Sequence, residues 1–132
     1  MSTMVFVNFP VKDVAASTVF YEKLGFKKND DFSDERTSCM VWDDNFFIML
    51  LDHSFYKLFI KDKTIADTKT QSAALIAFSL GSADEVKKFG KLAEESGGTV
   101  YSVDMGIPED QMFGLEVQDL DGNMLEPNWM AM

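Results

Sequence analysis

The chain has 132 residues, 46% hydrophobic and 26% charged, with a formal net charge of −10 and one cysteine. That composition predicts a folded domain and excludes a disordered one. The acidity excludes a nucleic-acid binder, whose partner's phosphates demand a basic surface. Residues 92–132 hold no Lys or Arg and nine acids, so nearly all the excess charge sits in the last third.

In chain order, Val7-Phe9-Val11 alternates as a strand does. Asp13 then precedes a helically spaced run of Val14, Phe20, Tyr21 and Leu24, which Gly25 ends. Short strands follow over Lys27–Phe32 and Thr37–Trp42. Asp43-Asp44-Asn45 makes a turn into Phe46–Leu51. Phe55, Leu58 and Phe59 suit one face of a short helix over Ser54–Ile60, and residues 61–72 read as a polar linker. His53, the only histidine, falls at a loop or helix start. The pattern then restarts. Shifted by 69 residues, Val7, Phe9 and Val11 fall on Ile76, Phe78 and Leu80, and Phe20 falls on Phe89. Ser82 followed by Glu85 fits a capping box, and Gly97-Gly98 fits a helix stop. Strands over Thr99–Val103, Gly114–Gln118 and Met124–Trp129 complete the second copy. Asp121-Gly122 is its hairpin signal, and Pro127 points to an edge strand or a bulge. The expected fold is α+β: two βαβββ modules (about 4–60 and 73–130, one domain spanning 1–132) in pseudo-twofold arrangement, forming a curved half-barrel sheet around a cavity.

Two motifs carry a resemblance. Val11-Lys12-Asp13 with Phe20-Tyr21-Glu22-Lys23-Leu24-Gly25-Phe26, and Asp119-Leu120-Asp121-Gly122-Asn123-Met124-Leu125-Glu126, resemble the opening and ending of the vicinal oxygen chelate superfamily. That superfamily includes glyoxalase I, extradiol dioxygenases, and bleomycin- and fosfomycin-resistance proteins. Asn8-Phe9-Pro10-Val11-Lys12-Asp13, Met49-Leu50-Leu51 and Asn128-Trp129-Met130 are similar to a bacterial glyoxalase-like, lactoylglutathione lyase-related group.

The resemblance implies four metal-ligand positions, one on the first and one on the last strand of each module. Matched through the motifs they are Phe6, Ile48, Leu75 and Glu126, of which only Glu126 has a donor atom. A catalytic metal ordinarily needs about three protein ligands, so no metal and no cofactor are expected. Strand alternation places Phe6, Asn8, Ile48, Leu50, Leu75, Ala77, Ser79, Glu126 and Asn128 on the cavity face. Val7, Phe9, Val11, Phe47, Met49, Ile76, Phe78, Leu80 and Leu125 would face the helices. Glu126 is the candidate catalytic or ligand-recognising residue, and Asp104–Gly114 the natural cavity lid.

The expected function is a glyoxalase/bleomycin-resistance-like protein with a degenerate metal site, binding a small, cationic or aromatic molecule. A metal-dependent lyase of the lactoylglutathione type, a dioxygenase-like enzyme, and a non-catalytic dimeric scaffold are the alternatives. A homodimer in the cytoplasm is expected, with no nucleic-acid or membrane partner. Cys39, next to Met40 in a strand, reads as a buried inert thiol.

Overall fold

The computed structural model describes residues 2–132, which divide into two compact units at Asp67/Thr68. Each unit repeats one topology. In the first, β1 (Val5–Val11), α1 (Val14–Leu24), β2 (Lys27–Asn29), β3 (Thr37–Val41) and β4 (Phe46–Asp52) form a sheet of order β1-β4-β3-β2, followed by α2 (His53–Ile60). In the second, β5 (Leu75–Ser79), α3 (Ala83–Glu95), β6 (Thr99–Tyr101), β7 (Met112–Gly114), β8 (Glu116–Gln118) and β9 (Met124–Met130) give the order β5-β9-β8-β6, with β7 also on β9. In each unit the first and last strands run parallel, and the other pairings are antiparallel.

The helix ends follow the local chemistry. Asp13 caps α1 by accepting from the Ala16 amide at 3.0 Å, and Gly25 closes it at φ 111°. Ser82 caps α3 through the Glu85 amide at 3.1 Å. Asp52 caps α2 by accepting from the Phe55 amide at 2.7 Å, and that bond is the leading reason its carboxyl lies below the usual range. His53 is therefore the first residue of a helix, as its sequence position suggested.

The core of the first unit lies between α1 and its sheet. α1 packs on β3 and β4, and Phe20, Tyr21 and Leu24 are buried together with Phe9, Val11, Met40, Ile48 and Leu50. A polar tie across this layer is the 2.6 Å hydrogen bond between Thr18 of α1 and Ser38 of β3. Cys39 is buried, and desolvation raises its thiol pKa, so the thiolate that would make it reactive is disfavoured. In the second unit Val86, Phe89 and Ala93 of α3 are buried with Val117 and Leu125.

Strand alternation holds in β1 but not with the faces assigned to β4. The parallel register sets Ile48 beside Val7 and Leu50 beside Phe9, while Phe47 and Met49 lie beside Phe6 and Asn8. Ile48 and Leu50 thus belong to the helix-packed face, both fully buried, and Phe47 and Met49 belong to the opposite one. The antiparallel neighbour agrees, because Ser38, bonded to α1, lies opposite Leu50. The reason is a turn offset. Trp42 N donates to Phe46 O at 3.0 Å, as Asp119 N donates to Asn123 O at 3.0 Å. The turns therefore match Phe46, not Asn45, with Asn123.

For Pro127 the edge alternative fails, since β9 is an inner strand. It is tolerated because it lies opposite Leu115, the gap between β7 and β8, where the Leu115 amide donates to the Pro127 carbonyl at 3.1 Å.

Gly122 is fixed by its surroundings. Its φ is 88°, and a Cβ there would stand 2.3 Å from the Thr68 carbonyl oxygen. Thr68 in turn donates its hydroxyl to the Asp121 carbonyl, so the turn and the segment before β5 close on each other. Gly122→Ala should therefore lower stability by about 2 kcal/mol. Urea unfolding would read this as a lower midpoint at constant slope, and an unchanged midpoint would contradict it.

Candidate functional site

The second unit contains a cavity of about 510 Å3. Its floor is the β7–β8 segment paired with β9, and one register runs through both strands: Met112 opposite Met130, Gly114 opposite Asn128, Val117 opposite Leu125. In this register Leu115 and Pro127 form a hydrogen-bonded pair. Glu116 and Glu126 are then the next pair along, and it is a non-hydrogen-bonded one, the kind in which side chains approach most closely. Both line the cavity, with Gly114 and Asn128 beside them. Gly114 is part of the shape, because a Cβ there would come within 3.1 Å of Asn128 Cβ.

Like charges directly opposite one another on a sheet are unfavourable. Glu116 is partly buried, and its Oε2 is a buried atom without a hydrogen-bond partner. A proton resolves this, since the carboxylic acid O–H of one can then donate to the other. Burial first, then the hydrogen bond to Glu126 and that group's charge, push the Glu116 pKa up to about 7. Near neutrality Glu116 therefore stands between its protonated and ionised forms.

The rest of the lining comes from the β6–β7 loop: Val103, Asp104, Met105, Ile107 and Glu109. Its apolar members are exposed, Met105 at 63%. No lysine or arginine lines the cavity. The nearest cation to its rim is Lys87 of α3, which pairs with Glu109 and stands 5.2 Å from the Phe113 ring centroid.

The structure brings together two of the anticipated residues, Glu126 and Asn128. Leu75, Ala77 and Ser79 share the Glu126 face by register, opposite Met124, Glu126 and Asn128, but do not line this cavity. In the first unit Phe6 stacks on Phe47 at 4.6 Å, and Asn8 lines a separate hollow of about 260 Å3 with Leu51, Tyr56, Phe59 and Ile60. Ile48 and Leu50, anticipated as cavity residues, line neither hollow and lie under α1, for the register reason given above. Glu116 was missed. Counting outward through the Asp119–Asn123 turn would have set it opposite Glu126.

The corrected register also changes the implied metal positions to Phe6, Met49, Leu75 and Glu126. One carboxylate and one thioether do not fit a hard divalent ion, which takes about six oxygen ligands, or a catalytic zinc, which takes about three nitrogen, sulfur or carboxylate ligands. Among the described residues no group of three or more His, Cys, Asp or Glu side chains is placed to hold a metal.

Comparison with known proteins agrees with this architecture. Residues 3–41 match the family model described as bleomycin resistance protein-like N-terminal. No curated protein matches the chain. Among solved structures, a glyoxalase/bleomycin resistance protein/dioxygenase family enzyme from Burkholderia phytofirmans PsJN superimposes with a TM-score of 0.77 at 17% identity, covering 98% of this chain and 100% of that one. A hypothetical protein from S. aureus gives 0.73 at 21% identity, covering 100% and 95%. A genomically encoded fosfomycin resistance protein from Listeria monocytogenes, complexed with Mn(II) and sulfate, gives 0.70 at 13% identity, covering 100% and 93%. At these identities the likeness is one of fold. Among the described residues, no helix is long and apolar enough to cross a membrane.

Proposed function

We propose, from the premise that this chain is by fold a member of the vicinal oxygen chelate superfamily, that it binds a small molecule without a metal. The ligand has an apolar body and a cationic or hydrogen-bond-donating group. The observation that carries this reading is the second-unit cavity: Glu116 and Glu126 side by side on its floor, facing an apolar loop, with no basic residue in the lining. Its volume of about 510 Å3 falls in the range of small-molecule sites. A cation between the two carboxyls would satisfy the buried Glu116 oxygen and cancel the cross-strand repulsion. An anionic ligand, such as a glutathione conjugate, would add to it. The donor set at the four superfamily positions favours binding over metal-assisted chemistry.

A homodimer in the cytoplasm belongs to the same proposal. Exposed apolar side chains on the two first strands, Phe6 at 47% and Leu75 at 54%, support a self-association surface. A light-scattering mass near that of one chain would contradict it.

The test uses thermal shift and calorimetry with an aromatic amine and with its neutral isostere. The amine is expected to raise the melting temperature and the isostere to leave it unchanged. Glu126→Gln should weaken amine binding at least tenfold, the order expected when a charge-assisted hydrogen bond is lost, while changing stability less. Equilibrium dialysis against Ni²⁺, Zn²⁺ and Mn²⁺ runs in parallel. One ion bound per chain, with lyase activity appearing on its addition, would overturn the proposal in favour of a metal-dependent lyase. Equal binding of amine and isostere would overturn the charge-based recognition.

A further inference from the structure

The β6–β7 loop is tied to the molecule in an unusual way. Gly106 N donates to Asp104 Oδ1 at 2.9 Å, and Gln111 N and Met112 N donate to the Pro108 carbonyl, so the loop's backbone bonds reach no further than the first residue of β7. Among the described residues, the one side-chain bond from Val103–Asp110 to another element is Lys87 to Glu109. Lys87 is placed for it twice over. It sits in the second turn of α3, and its ammonium also faces the ring of Phe113, which lines the same cavity. The loop tip is not packed: Gly106 has φ 75°, and nothing lies within 4 Å of where its Cβ would be. The segment supplies five of the cavity's lining residues, and the apolar ones are about half exposed. Apolar side chains held over a hollow at that exposure gain little from packing, so the ion pair carries much of the loop's placement.

We propose that the Lys87–Glu109 ion pair is a latch that holds the Val103–Asp110 segment over the cavity, and that breaking it opens the site. The chemistry sets what opens it. The chain from residue 92 onward has no lysine or arginine, so Lys87 has no substitute on the loop or on β7–β9. A cationic guest entering the cavity meets Glu109 on the rim and competes with Lys87 for it. The hydrogen bond and charge of the Glu109 carboxylate also hold the Lys87 ammonium above its usual pKa.

The proposal rests on the small-molecule reading only in treating the segment as a lid, and its test is run without ligand. Thermolysin cuts before exposed apolar residues, so nicking between Gly106 and Ile107 reports how often the loop leaves its seat. Lys87→Gln is expected to speed nicking roughly two- to fivefold, the range an exposed ion pair supports. The charge-swapped pair Lys87→Glu with Glu109→Lys is expected to return the rate to that of the wild type. One molar sodium chloride should speed the wild type and leave Lys87→Gln unaffected. Equal nicking of wild type and Lys87→Gln would overturn the latch, as would failure of the swap to restore it. Unchanged far-ultraviolet circular dichroism in each variant separates loop opening from unfolding. If the latch behaves as stated and no amine binds, the function proposal fails and the latch stands.

Discussion

Glu116→Gln is expected to make the protein more stable above neutrality and to remove a pH dependence that the wild type carries. The sign follows from linkage. The Glu116 carboxyl has a reference pKa of 4.5, and the fold raises it to about 7. Between those values the folded chain holds a proton that the unfolded chain has released. Stability contributed at this site is therefore full below pH 4.5, falls as pH rises, and is lost above about 7. The shift would correspond to about 3 kcal/mol at its upper bound, and to on the order of 1–2 kcal/mol once solvent screening of a partly exposed pair is allowed for. Glutamine keeps the shape, donates from its amide to Glu126, and has nothing to titrate. Urea unfolding across pH 4.5–8 should show the wild type losing ground to the variant as pH rises. Parallel curves would show that the two carboxyls do not share a proton. A bound amine should move the wild type toward the variant at pH 8, because it supplies the positive charge that the proton no longer does.

The second large effect concerns which face of β4 is buried. Ile48→Ala should cost about 3 kcal/mol, within the range for emptying a fully buried aliphatic site. Met49→Ala, one residue along and half-buried on the opposite face, should cost about 1 kcal/mol or less. Thermal or chemical unfolding of the two variants decides between the registers. The reverse order would mean that Ile48 faces away from α1, and the corrected correspondence between the modules would fall with it.

That pair of residues marks where reading the sequence succeeds and where it stops. Alternation, capping residues and glycine stops act over a few neighbours, and α1, α2 and α3 appear where those signals lie, with Asp13, Ser82 and Gly25 in the roles their chemistry suits. The repeat of 69 residues likewise foretold that both modules share one topology. Register is a different matter, because a shift of one residue turns every side chain to the other face. Asn45 and Asn123 look equivalent as letters, yet the turn hydrogen bonds pair Phe46 with Asn123. Glu126 stood out by its motif, whereas Glu116 has no motif at all.

The repeat of one module topology and the places where the helices start and stop were legible in the sequence alone, because they depend on residue type and short spacing. The tertiary structure decided three things. It buried Ile48 and Leu50 under α1, it placed Pro127 in an inner strand at the break between β7 and β8, and it set two glutamates ten residues apart opposite one another. The reason is common to all three. Each depends on hydrogen-bonded pairing between strands, a non-local choice made by the sheet as a whole.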